Sequence, residues 1–190
     1  MATKRRSSGR DVKNVWKGLA AGLIGGLVAS WAMNRFQDGW SRLAQGNQRS
    51  PRGQDELHTR QSGSAEPGRV EPEDDTTVKT ASAISEGVFH HKLTQTEKKI
   101  AGPAVHYALG TGVGGLYGAV AEVAPKVTTG GGLPFGAIFW LVVDEGAVPI
   151  LGLSKGPTQY PLSTHVYALA SHFVYGLTTE LVRRAVLKAL

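Results

Sequence analysis

The chain has no cysteine. That removes disulfide scaffolds, thiolate-bound zinc, iron–sulfur clusters and thiol nucleophiles. It has no GxSxG, HExxH, P-loop or dinucleotide fingerprint, so no motif nominates an enzyme, and no catalytic residue, cofactor or metal ligand is assigned. What it lacks most tellingly is charge, in four places. Gly18–Asn34 runs for 17 residues without an ionised side chain, Ile100–Ala121 for 22, Val127–Val143 for 17 and Gly156–Thr179 for 24. A helix crossing about 30 Å of hydrocarbon needs about 20 residues, with a floor of about 17. Four such runs in 190 residues leave little amphipathic helix to cover them from water.

The charge that is present sits at the ends. Residues 1–17 hold six Lys/Arg and one acid, and residues 181–190 hold Arg183, Arg184 and Lys188 with none. Basic clusters flanking apolar runs follow the positive-inside tendency. They do not make the aromatic-interleaved patch of a nucleic-acid binder, so no nucleic-acid partner is expected. The expected partner is the lipid bilayer, and the expected location a bacterial inner membrane, multi-pass, with both termini cytoplasmic.

The expected fold is all-α, a four-helix transmembrane bundle with a long polar, largely disordered loop between helices 1 and 2. Its parts are a basic cytoplasmic amino terminus (1–15), transmembrane helix 1 (16–36), the polar loop (37–76) and an amphipathic helix (77–93). Transmembrane helices 2 (95–123) and 3 (128–146), a Pro/Gly turn (147–160) and transmembrane helix 4 (161–189) complete it. Residues 45–77 hold only Leu57 and Val70 from the large apolar set, too little to offset chain ordering. Thr94-Gln95-Thr96-Glu97 reads as a capping box opening helix 2. The basic start, the apolar run and Ser30-Trp31-Ala32 also describe a signal peptide; an uncleaved anchor is the preferred reading, because further spans follow.

Two features inside the runs carry the functional reading. Small residues recur at four-residue spacing: Gly18, Gly22 and Gly26, then Gly110, Gly114 and Gly118, with Gly132 and Gly136 as a single repeat. In lipid, helices associate through close backbone approach and van der Waals contact. The two tandems therefore predict tight packing of helices 1 and 2, on each other or across a homo-oligomer. Ionisable groups form the second feature. His106 lies in run two, while His165 and His172, seven residues apart, share one face of run four. Buried ionisable residues in a bilayer are costly and default to function. Hydrogen bonding between helices and proton relay are both open to these histidines, and a metal site with Asp144 or Glu145 is chemically conceivable. Glu122 with Lys126, and Glu180 with Arg184, have the favourable i,i+4 order and read as interfacial anchors. Asp144 and Glu145 are interfacial if helix 3 ends at Val143, the preferred reading. They lie at membrane depth if it continues through Pro149, as in the broken helices of transporters.

Tyr117-Gly118-Ala119-Val120-Ala121-Glu122-Val123-Ala124-Pro125-Lys126 stands with Pro149-Ile150-Leu151-Gly152-Leu153, Ser171-His172 and Glu180-Leu181-Val182-Arg183-Arg184. Together these resemble the YagU-like family of bacterial inner-membrane proteins over roughly residues 100–187. The resemblance implies a small multi-span membrane protein and carries over no catalytic residue. The residues themselves set the functional expectation: first a structural or interaction component held together by its glycine faces, with a proton- or ion-linked transporter or channel using the histidines and carboxylates as the alternative.

Overall fold

The computed structural model describes the backbone of residues 4–47 and 76–190 and the side chains of 14–43 and 76–190. Among them the regular elements are all helical: α1 (Lys4–Asn47), α2 (Thr76–Phe89), α3 (Gln95–Val123), α4 (Leu133–Val142) and α5 (Leu162–Ala189). Helix α1 exceeds the expected 16–36 at both ends, and residues 37–47, expected in the loop, are helical. The rest of that loop, 48–75, lies outside the described residues.

The Thr94 side chain caps α3 by accepting from the Glu97 N–H while Glu97 bonds back to the Thr94 N–H, which satisfies two of the free donors of the first turn. Pro125 follows the last residues of α3 and opens a 3₁₀ turn, Pro125–Thr128, since proline disfavours a helical residue before it. Three glycines then take positive φ, Gly132 at 94° immediately before Leu133. Helix α4 therefore starts at Leu133 and not at the expected 128.

The preferred end of helix 3 at Val143 is corrected. The helix widens into a π turn over Val143–Ala147 and continues as Val148–Ile150, into the expected Pro/Gly turn. Pro149 supplies the physical reason. Lacking an N–H, it cannot bond the carbonyl four residues back, that of Glu145, and its ring crowds that oxygen. An extra residue in the turn relieves the conflict, and single π turns recur at functional sites.

Helices α3 and α5 both run antiparallel to α1, and α4 runs antiparallel to α5. Gly18, Gly22 and Gly26 face Gly118, Gly114 and Gly110, Gly25 meets the Thr179 carbonyl, and Gly132 and Gly136 meet Gly176 and the His172 carbonyl. A Cβ on Gly114 would stand 2.6 Å from Gly26 Cα, so these backbones touch.

The molecule is ordered inside out for water. Ser30, Ser171 and Thr179 are buried with Glu180 (1% exposed) and Arg183 (6%), whereas Leu116 (64%), Ile138 (60%) and Leu181 (66%) face outward. The buried hydroxyls satisfy themselves by bonding carbonyls four residues back, at 2.8–2.9 Å. Among the described residues two segments, Asn14–Leu43 and Leu133–Ile150, are long and apolar enough to cross a membrane. Helices α3 and α5, of 29 and 28 residues, have the length, but their interior glycines, hydroxyls and histidines lower their hydropathy.

Candidate functional site

The bundle holds polar groups at both ends. At the end shared by the start of α4 and the last turns of α5, Arg183 grips Glu180 bidentately, Nε to Oε2 at 2.7 Å and Nη2 to Oε1 at 3.0 Å. Its Nη1 donates to Glu122 on α3 at 2.9 Å. Arg184 Nε and the Tyr117 hydroxyl also donate to Glu180, at 2.5 and 3.0 Å. Two carboxylates meet two guanidinium groups, so the cluster is neutral, and the fork of arginine fits the carboxylate geometry. Glu180 does pair with Arg184, as its spacing predicts. Glu122, four residues before Lys126, instead reaches across to Arg183, because Pro125 has already broken the helix between Glu122 and Lys126.

The opposite end opens into a cavity of about 740 Å³. His106 of α3, Asp144 and Glu145 of the π turn, and His165 and His172 of α5 all line it. His165 Nδ1 stands 2.6 Å from Glu145 Oε1, and its Nε2 lies 3.0 Å from the Pro157 carbonyl. His172 Nδ1 bonds the Ala168 carbonyl at 2.9 Å and lies 3.8 Å from Asp144 Oδ2. The π turn is what presents both acids. Two successive residues of an α-helix point about 100° apart, and the widened turn brings one carboxylate to each histidine.

The cavity floor is aromatic. Phe139 lies 5.1 Å from Tyr175 and edge-on to His172 at 5.2 Å, and next to them, outside the cavity lining, Tyr117 stacks on Phe135 with centroids 4.1 Å apart. The Tyr175 hydroxyl donates to the Gly110 carbonyl at 2.6 Å. This apolar layer separates the cavity from the Glu180–Arg183 cluster. Helix α2 forms one wall through Thr76, Thr77, Val78 and Thr80, with Val78 seated on Gly102 of α3.

The sequence-derived residues thus divide into three places. The eight glycines lie at helix crossings, five ionisable groups line the cavity, and Glu122 and Glu180 sit in the opposite cluster. Some of the other residues at these sites were legible too: the face of His165 and His172 continues through Tyr175 or Gly176, and Tyr117 opens the family-like motif. Ser30 was not singled out as a packing residue, although it continues the four-residue spacing of Gly18, Gly22 and Gly26. Phe139 carried no signal, because an aromatic residue in an apolar run marks core and cavity alike. Among the described residues no group of three or more His, Asp or Glu side chains is placed to hold a metal ion.

No curated protein and no solved structure matches the chain. A family model does match, over residues 65–181, the span from just before α2 into the last turns of α5. By that match the chain belongs to the family described as Protein of unknown function (DUF1440).

Proposed function

We propose that this chain is a YagU-like inner-membrane protein whose helices α1, α3, α4 and α5 span the bilayer, and that it moves protons, alone or with a small polar solute, through the histidine- and carboxylate-lined cavity. The spanning arrangement is supported by the inside-out burial, since exposed apolar surface of this extent has no place in water. Both termini lie on the cytoplasmic side. Lys17 Nζ meets the Leu190 carbonyl at 3.3 Å, so the basic ends share one face, the one positive charge prefers. The cavity then opens toward the opposite face.

The observation that carries the transport reading is the convergence of His106, His165, His172, Asp144 and Glu145 on one cavity. Intramembrane acids and histidines facing a shared polar space are the groups from which proton pathways are built. The glycine faces on which an interaction role would rest are engaged within the chain, α1 on α3 and α4 on α5.

The test is proton uptake by proteoliposomes carrying an entrapped pH indicator, driven by an imposed potential. Wild-type vesicles take up protons faster than empty ones, and Asp144→Asn and His172→Ala abolish the difference. Uptake equal to that of empty vesicles overturns the proposal.

A further inference from the structure

We infer that Glu145 and His165 share a single proton, and that this proton clamps the π turn of α4 to the first turn of α5. This deepens the transport reading by naming which cavity groups carry the proton. It stands on hydrogen-bond geometry. The Pro157 carbonyl can only accept, so His165 Nε2, 3.0 Å away, must carry a hydrogen. At Nδ1, 2.6 Å separates nitrogen from the Glu145 oxygen. Without a proton between them, two lone pairs would face each other at that distance. One proton therefore lies in the contact, whether formally on the ring or on the carboxyl. Both side chains are largely enclosed, 21% and 16% exposed, at the edge of the cavity.

His172 contrasts with it. Its Nδ1 hydrogen goes to the Ala168 carbonyl, and Asp144 stands back at 3.8 Å. A neutral ring satisfies that geometry. The two pairs therefore differ, one closed around a proton and one with its carboxylate 40% exposed to the cavity.

Loss of the shared proton to water in the cavity has a mechanical result. The Pro157 carbonyl holds His165 in the Nε2–H tautomer, so the ring cannot turn its hydrogen toward Glu145, and the pair must part. The π turn then separates from α5 and from the 157–160 segment. His165 also lies in the first four residues of α5, where the helix dipole opposes a cation; Glu145 alone offsets this at contact distance. The other charged or titratable groups lining the cavity are Asp144 on the same turn, Lys155 and Tyr160 on the connection, and His172 and Tyr175 on α5. Lys98, Lys99 and His106 face it from α3, while α1 and α2 contribute only uncharged side chains to the cavity.

The experiment uses the full chain in lipid nanodiscs and two readouts. The first is nitrogen NMR of the histidine rings in mildly acidic buffer, with the His165 signals assigned by their loss in His165→Asn. Both His165 nitrogens are expected away from the bare-nitrogen position. The second uses the absence of cysteine. Spin labels at Ile150→Cys and Leu162→Cys, both exposed positions, report the gap between the π turn and α5. That distance increases in alkaline buffer, and Glu145→Gln, whose amide donates to a neutral Nδ1, loses the increase. A bare Nδ1 on His165 in acid, or a pH-dependent distance that survives in Glu145→Gln, overturns the inference. Neither readout needs flux, so inactive proteoliposomes with the expected spectra would refute the transport reading and leave the clamp standing.

Discussion

Gly112 and Gly114 lie two residues apart on α3 and point to nearly opposite sides. A Cβ on Gly112 meets nothing within 4 Å, whereas one on Gly114 meets Gly26 Cα at 2.6 Å, Gly22 O at 2.7 Å and Gly26 N at 2.8 Å. Replacing either by alanine gives the same gain in helix preference, about 0.8–1.0 kcal/mol. They differ only in what the methyl group strikes. All three obstacles at Gly114 are backbone atoms of a helix, which cannot rotate aside. Raising the closest contact from 2.6 Å to the ordinary 3.4 Å opens the α1–α3 seam by about 0.8 Å. A gap of that size forfeits roughly a quarter to a half of each atom pair's attraction along the seam, and overpacking of this kind costs about 1–3 kcal/mol. Gly112→Ala should therefore stabilise the fold, and Gly114→Ala should fall below it by about 1–3 kcal/mol. Helical circular dichroism during denaturant titration in one detergent measures both. Equal stabilities within about 0.5 kcal/mol, the usual scatter for independent surface changes, would refute the claim that α1 and α3 touch through glycine. Gly114→Ile, with a branched side chain in the same place, should lose the folded state altogether.

The charged cluster makes a coupled prediction. Arg183→Met should cost about 3–5 kcal/mol, toward the low end because Arg184 still holds Glu180, while Glu180→Leu with Arg183→Met together should recover most of the loss. Additive costs in that double-mutant cycle would show that the pair does not interact. Tyr175→Phe removes the 2.6 Å bond to the buried Gly110 carbonyl and should destabilise by about 1–3 kcal/mol in the same titration. At the start of α3, the Thr94 backbone N–H above all, then the Thr94 side chain and His91, hold the Glu97 carboxyl below its ordinary range. A lowered native pKa stabilises above the unfolded value, and that stability is lost as pH falls through the native one. Protection factors of the amides at the α2–α3 junction, corrected for the intrinsic pH dependence of exchange, should therefore fall in acid, and Glu97→Gln should abolish that fall.

Much of this architecture was legible because its causes are local. Thr94 and Glu97 sit three residues apart, and α3 begins there; Pro125 marks where it ends. The glycine tandems foretold a close crossing, since only a missing Cβ permits backbone contact, but spacing alone left open whether the partner was α3 or a second copy. Other features depend on distant groups. Glu122 has Lys126 at a favourable sequence interval, yet Arg183, 61 residues away, takes it. The π turn was hidden for a different reason. Asp144 and Glu145 look like a terminus because charges end most apolar runs, and only Pro149 hinted that the helix pattern would be disturbed there. Once the turn forms, two acids adjacent in sequence serve two histidines that lie two turns apart on α5.

The position of the cavity follows from the glycine ladder that seals the other half. Going along α1, Gly18, Gly22 and Gly26 each lie against glycine backbone on α3, and Ser30 is the next small residue, against Gly110. One turn further the rungs become long: Asn34 Nδ2 reaches the Tyr107 hydroxyl at 3.3 Å. Helices that touch by their backbones at one end and by extended side chains at the other must splay, and the splay begins where Ser30, Met33 and Asn34 line the cavity. On the far side, Gly132 and Gly136 hold α4 against α5 up to His172, after which the π turn leads the two acids inward. Both glycine seams thus stop at one level, and the ionisable groups begin there. The tight half fixes the geometry on which the polar half depends, so a substitution such as Gly26→Ala, which touches no ionisable side chain, should still disturb the cavity by prising α1 from α3 at its floor.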